Sequence, residues 1–381
     1  MKKILSLGLI FVLLFAGNIN SFAEEDDFIS AKAAVVMCAD TGEIVYSKNM
    51  YMQLSMASTT KIMTSVLALE YGATDSYITV TDEMVRVEGT SMGLLGGDRV
   101  SLKSLVKGML IQSGNDAANA VAVIVGGSIP EFVAMMNEKA QMLGMDSTSF
   151  ETPSGLDGDN HYSTARDMAV LAAYAIKNPE FRSICSLKQA VVYYGNPPYR
   201  RVMTNHNKLL SMYDGVFGIK TGFTKKSGRC LVTAAEKDGK TLIAVTLSAP
   251  DDWNDHVKLY DYAFECVKSV TLTEDLEDIR LKVVGGTSGS ISVSIQEPLN
   301  ITVASEDYSY YDRVLLKQFE YAPVYEGDIV GTLEFYNSDD EIIGSTPICA
   351  GETMLEAVTD ETENMTESKK TFLDKIKELF R

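Results

Sequence analysis

Apolar residues alternate with polar ones near both ends of the first 270 residues and fall into a helical rhythm between them. Ala34-Val35-Val36-Met37 and Glu43-Ile44-Val45-Tyr46 flank Asp40-Thr41-Gly42, which predicts a hairpin over 32–48. From Ser58 onward Ile62, Met63, Val66, Leu67 and Leu69 crowd one side of a helix. Further helices are expected over 101–111, 115–125, 128–143 and 163–177; the second of these is nearly all small and apolar, hence buried. Near residue 215 the period becomes two, giving strands over 216–220, 229–236 and 240–247, with Asp238-Gly239 as a tight hairpin turn and a helix over 255–268. A helical block thus interrupts a sheet whose strands come from both ends of one domain, an α+β arrangement.

A second pattern begins near residue 271. Ile279/Leu281/Val283, Ile291/Val293/Ile295, Ile301/Val303 and Val330/Leu333/Phe335 alternate with polar residues, and Gly285-Gly286, Gly289 and Gly327 punctuate them. This predicts a small all-β domain over 271–350 after a first domain over 24–270. Residues 351–367 carry six acidic and no basic residues, as a linker does. Beyond it, Phe372, Leu373, Ile376, Leu379 and Phe380 would share one helix face, with Lys369, Lys370, Lys375, Lys377 and Arg381 off it. A basic amphipathic helix over 368–381 suits an anionic membrane surface. At the other end, Lys2 and Lys3 precede an apolar run from Ile4 to Ala16 and small residues up to Ala23. That is the pattern of a cleaved signal peptide over 1–23, with a run shorter than the roughly 20 residues a membrane span takes. The mature chain is expected outside the cytoplasm, on the outer face of the cytoplasmic membrane.

Composition narrows the chemistry. With 34 Lys+Arg against 52 Asp+Glu the formal charge is −18, which excludes nucleic acid as the main partner. Five scattered cysteines form no C-x-x-C pair and read as mostly buried apolar residues. His161, His206 and His256 have no metal-ligand spacing, so neither metal nor organic cofactor is expected. His161 and His206 read as residues that hold loops, and Trp253 as a surface or domain-boundary anchor.

Three short motifs carry the reactive residue types, in a fixed order: Ser58-Thr59-Thr60-Lys61, Ser113-Gly114-Asn115 and Lys220-Thr221-Gly222. Positions i and i+3 share a helix face, so Lys61 can place its amine beside the Ser58 hydroxyl. A serine needs a base to become a nucleophile, and a lysine can be that base only if burial or a nearby cation, such as Lys220, lowers its pKa. Ser113 can relay a proton and Asn115 can hold a substrate amide. Lys220 and Thr221 suit a substrate carboxylate, and Gly222 leaves room for an extended substrate beside the strand. Decoys exist at Ser104-Leu105-Val106-Lys107, Ser47-Lys48-Asn49 and Lys226-Ser227-Gly228, but only the first trio places each motif on its expected element.

The chain resembles the serine-type D-alanyl-D-alanine carboxypeptidases, the low-molecular-mass penicillin-binding proteins. The likeness extends from the trio to Ala57-Ser58-Thr59-Thr60-Lys61-Ile62-Met63-Thr64, Ser113-Gly114-Asn115-Asp116-Ala117-Ala118-Asn119-Ala120, Gly155-Leu156-Asp157-Gly158 with Asn160-His161-Tyr162-Ser163-Thr164-Ala165, and Asp214-Gly215-Val216. The resemblance implies a penicillin-binding/β-lactamase-like catalytic domain acting on peptidoglycan stem pentapeptides. Ser58 would form an acyl-enzyme that expels the terminal D-alanine, with Lys61 as base and Ser113 as proton shuttle. Backbone N–H groups of Ser58 and Phe223 would form an oxyanion hole, and β-lactams would acylate the same serine. Position 223 departs from relatives that carry His there, and no arginine is assigned to the substrate carboxylate. Two other functions fit the same motifs less well: a non-catalytic wall-binding scaffold, and a β-lactamase, whose deacylating Glu has no counterpart in 154–165.

Overall fold

The computed structural model describes residues 28–72, 75–304 and 308–357. The expected signal peptide and the amphipathic segment 368–381 lie outside the described residues.

The first domain is built on an antiparallel five-stranded sheet in the order Ile44–Lys48, Ala33–Cys38, Lys240–Leu247, Gly228–Lys237, Val216–Thr224. The hairpin at the start of the domain pairs with a strand from near the domain's end, Val35 lying opposite Val245. Helices cover both faces. One face carries the helical block between the two groups of strands. The other carries the helix Asp252–Cys266, whose Leu259, Tyr260 and Ala263 pack on Ala34, Val36 and Leu242. Every residue of Ala33–Cys38 is buried, which is why that strand reads as a continuous apolar run.

The helices Lys61–Tyr71, Leu102–Gln112, Asn115–Gly126, Ile129–Met142 and Ala165–Ile176 agree with the periodicity to within a few residues. The helix expected over 255–268 instead runs Asp252–Cys266. A hairpin of Gln189–Gly195 and Pro198–Thr204 was not legible. Its Ala190, Val192 and Tyr194 are buried while Val191 and Tyr193 are exposed, so both faces are apolar and the period of two vanishes from the hydropathy pattern.

In the second domain six strands form one sheet in the order Tyr311–Leu316, Ile329–Tyr336, Ile342–Ala350, Ser290–Ile295, Arg280–Val284, Glu320–Tyr321, and a separate pair joins Lys268–Leu272 to Leu299–Val303. Two expected boundaries move. Lys268–Leu272 pairs within the β region, so that region starts before 271. It also continues past 350 into the expected linker, because buried Met354 bridges Val324 and Glu356 bridges Gly286. The acidic composition of 351–367 hid these residues: Glu352 is a surface acceptor for the Ser292 N–H and hydroxyl. The domains meet where Thr302 N–H donates to Asp40, Ala304 N–H donates to Glu43 and Thr241 N–H donates to Thr302 Oγ1. A cavity of about 1010 Å³ lies at this junction, among Asp40, Glu43, Arg166, Lys177 and Glu341, and contains none of the motif residues.

Candidate active site

Ser58 sits on a short 3-10 turn, Ala57–Thr60, that leads directly into the buried helix Lys61–Tyr71. The turn is held by its own threonines: Thr59 Oγ1 donates to Met56 O at 2.6 Å and Thr60 Oγ1 to Ala57 O at 2.8 Å. Thr60 Oγ1 also lies 2.8 Å from His161 Nε2, and His161 Nδ1 accepts the Glu151 N–H at 3.0 Å. Thr60 spends its proton on Ala57, so His161 Nε2 carries the hydrogen in that bond. Burial holds the imidazole neutral, pulled down to about 4, and His161 ties the loop after the helical block to the nucleophile turn. Gly155 completes that joint. Its φ is +86° and a Cβ there would lie 1.9 Å from Ala57 O, so only glycine lets the loop close on the turn.

Lys61 is fully buried at the centre of the three motifs. Its Nζ lies 3.0 Å from Ser58 Oγ, 2.7 Å from Asn115 Oδ1 and 2.6 Å from Ser154 O. The two carbonyl oxygens can only accept. In the neutral amine they take both N–H groups, which leaves the lone pair facing the Ser58 hydroxyl. Burial, and then the charge of Lys220, push Lys61 well below the ordinary lysine range, with Asp116 opposing them.

Asn115 therefore has a different task from the substrate contact expected of it. It is 4% exposed, its oxygen holds Lys61, its Nδ2 donates to Glu88 O at 2.7 Å and its N–H donates to Thr90 O at 2.7 Å. The loop supplying those carbonyls is clamped by Asp116. This buried carboxylate accepts the Ser91 hydroxyl and the N–H groups of Met92, Gly93 and Leu94, at 2.7–3.0 Å. Hydrogen bonds to a charged group contribute about 1.5–3 kcal/mol each, and an amide would turn an N–H against these donors. Asp116→Asn is accordingly expected to lower the urea unfolding free energy by about 3 kcal/mol. A loss below about 1 kcal/mol would show that the clamp does not matter.

Ser113 ends the helix Leu102–Gln112 in the left-handed region, φ +63°, which turns its side chain out of the helix row. Lys220, Thr221 and Gly222 lie on the edge strand Val216–Thr224. Lys220 is 2% exposed, donates to Thr221 O at 2.8 Å and is pulled down to about 7 by burial. It stands behind the cleft wall. A Cβ on Gly222 would lie 3.0 Å from Met56 O and 3.1 Å from Ser58 N, so this glycine permits the close approach of strand and nucleophile turn rather than space for substrate.

Ser58, Ser113, Thr221, Gly222 and Phe223 line one cleft of about 550 Å³, together with Thr90, Asn205, His206, Lys208, Arg229, Asp252 and Trp253. Arg229, Asp252 and Trp253 were not anticipated there. Trp253, expected as a surface or domain-boundary anchor, lines this cleft, and so does His206. The signal was faint: strand pairing places Arg229 opposite Phe223, but only once the hairpin register is known. Among the described residues no cluster of His, Cys, Asp and Glu could hold a metal ion.

Residues 20–251 match the family described as D-alanyl-D-alanine carboxypeptidase, and residues 271–356 match the C-terminal domain of penicillin-binding protein 5. The chain is 34% identical to the D-alanyl-D-alanine carboxypeptidase DacF of Bacillus subtilis (strain 168), over 94% of this chain and 96% of that one. It is 33% identical to DacC of Escherichia coli (strain K12), a D-alanyl-D-alanine carboxypeptidase, over 87% and 86% of the two chains. Among solved structures, penicillin-binding protein 5 from Haemophilus influenzae superposes with a TM-score of 0.61 at 29% identity, covering 86% of this chain and 98% of that one. The Streptomyces K15 DD-transpeptidase superposes with a TM-score of 0.60 at 32% identity, covering 62% and 98%.

Proposed function

The chain belongs to the D-alanyl-D-alanine carboxypeptidase family, and from that premise we propose how its residues divide the reaction. The enzyme is a serine peptidase that removes the terminal D-alanine of peptidoglycan stem peptides through an acyl-enzyme and is inhibited by penicillin. In our reading Ser58 Oγ attacks the carbonyl carbon of the penultimate D-alanine while neutral Lys61 takes its proton. Ser113 relays that proton from Lys61 to the departing amine, so the C–N bond breaks, D-alanine leaves and Lys61 is neutral again. A water molecule then attacks the acyl carbon as Lys61 takes its proton, and Lys61 returns that proton to Ser58 Oγ as the ester C–O bond breaks, which restores the serine hydroxyl. Backbone N–H groups of Ser58 and Phe223 stabilise the oxyanion of both tetrahedral intermediates.

The observation that supports this assignment above all others is the Lys61 amine 3.0 Å from Ser58 Oγ, with two carbonyls occupying its other positions. Among the described residues the only carboxylate lining the cleft is Asp252, and it is tied to Arg229. No free carboxylate is at hand there to activate water, which argues against a β-lactamase and predicts slow release of penicillin. The direct test is release of D-alanine from diacetyl-L-Lys-D-Ala-D-Ala by residues 24–381, which is expected to be stoichiometric with peptide. Binding of that peptide without release would favour a wall-binding scaffold.

We also propose that residues 1–23 direct secretion and that 368–381 bind the outer face of the cytoplasmic membrane, on the sequence pattern alone. Among the described residues no single helix is long and apolar enough to cross a membrane. Cosedimentation with anionic vesicles should fall to background when 368–381 are deleted, and undiminished binding would refute the anchor.

A further inference from the structure

A carboxypeptidase must tell a chain end from a chain interior, and the mark of the end is a carboxylate. The residues expected to bind it are poorly placed for the task. Lys220 is 2% exposed, its Nζ donates to Thr221 O, and it is absent from the cleft lining. Thr221 offers one hydroxyl and no charge. Of the cations that line the cleft, Lys208 is an exposed, flexible ammonium, whereas Arg229 is built in.

Three contacts build it in. Arg229 Nε donates to Asp252 Oδ1 at 2.7 Å, and the Asp252 side chain is only 3% exposed. The guanidinium carbon lies 5.3 Å from the Trp253 ring centre, so the ring supports the planar cation. Arg229 is also the direct cross-strand partner of Phe223, two residues from Thr221 on the edge strand, and side chains two apart share a sheet face. Asp252 engages only the inner nitrogen. The two terminal amino groups have no protein partner among the described residues, and 40% of the side chain is exposed in the cleft that holds Ser58. A guanidinium held by its inner edge and open at its outer edge is a preformed fork for one carboxylate.

We propose that Arg229 fixes the C-terminal carboxylate of the substrate and thereby sets the preference for chain ends, with Asp252 and Trp253 as its positioning residues. The assignment rests on the carboxypeptidase reading above. It transfers the carboxylate contact from the buried lysine to an arginine on the neighbouring strand. Lys220 is left to depress the pKa of Lys61.

The test uses a matched pair of N-acyl-D-alanyl thioesters, one with mercaptoacetate as leaving group and one with its uncharged methyl ester. Wild-type enzyme is expected to prefer the acid. Arg229→Gln should reduce that acid-to-ester ratio of kcat/KM about 30-fold, mostly through KM, since a bidentate charge-assisted pair is lost. Arg229→Lys should recover part of it, keeping charge but not the fork. Asp252→Asn should lie between, with Arg229 present but unheld. Turnover of the ester by each variant reports that it is folded. An unchanged ratio in Arg229→Gln would overturn the assignment while leaving the carboxypeptidase reading intact. Wild-type enzyme inert toward both thioesters and toward diacetyl-L-Lys-D-Ala-D-Ala would sink that reading and the assignment with it.

Discussion

Ser58→Ala is expected to reduce D-alanine release by roughly 10⁴-fold or more, to the level that binding and oxyanion contacts sustain without a nucleophile. The loss should fall on kcat, because the serine bonds to substrate only along the reaction path, while the cleft that binds the peptide stays in place. The same variant should fail to form a covalent adduct with benzylpenicillin. Wild-type protein mixed with the drug should gain one drug mass, persistently, on the peptide containing Ser58. An intact-mass time course of both proteins reads the two outcomes together. An adduct that survives in Ser58→Ala would place the nucleophile elsewhere, and the Ser104 decoy would need testing. The structure already weighs against it, because Ser104 is buried within the helix Leu102–Gln112.

The second large effect concerns the base. Lys61→Met keeps most of the buried stem volume and removes the amine, and should lower kcat/KM by about 10³-fold or more. Its pH behaviour distinguishes a base from a structural cation. Only neutral Lys61 can accept the Ser58 proton, so kcat/KM must rise with pH through the lowered pKa of Lys61. Burial is the largest cause of that lowering and the Lys220 charge the next, with Asp116 acting in the opposite direction. Removing the Lys220 charge therefore raises the Lys61 pKa. The acid limb of the Lys220→Gln profile should move to higher pH, with the rate loss greater at pH 6 than at pH 9. Asp116→Asn should move the limb the other way. A limb that stays fixed in Lys220→Gln would mean that the group titrating in the profile is not Lys61.

Much of the fold was legible because most of its elements announce themselves locally. The helix from Lys61 and the strand Lys240–Leu247 have one dominant periodicity each. The hairpin Gln189–Thr204 does not, since its outward face carries Val191 and Tyr193 as exposed apolar residues. The start and end of the β domain were displaced for a related reason. Polar residues such as Glu352 cap strands there, and pairing rather than composition decides membership.

The candidate site divides along the same line. Sequence alone determined the order of the three motifs and the proximity of Ser58 and Lys61, because i and i+3 meet on any helical turn. It also put Lys220 at the end of a strand, since alternation is a property of neighbours, whereas the structure carries that strand on through Thr221 and Gly222 to Thr224. Tertiary structure decided what the amine of Lys61 faces: Asn115, 54 residues away, and Ser154, 93 away. It also turned Asn115 inward, buried Lys220 and brought Arg229, Asp252 and Trp253 to the cleft. These outcomes depend on how helices and strands pack, and on which polar atoms must find partners once water is excluded. Residue spacing along a chain carries no record of either.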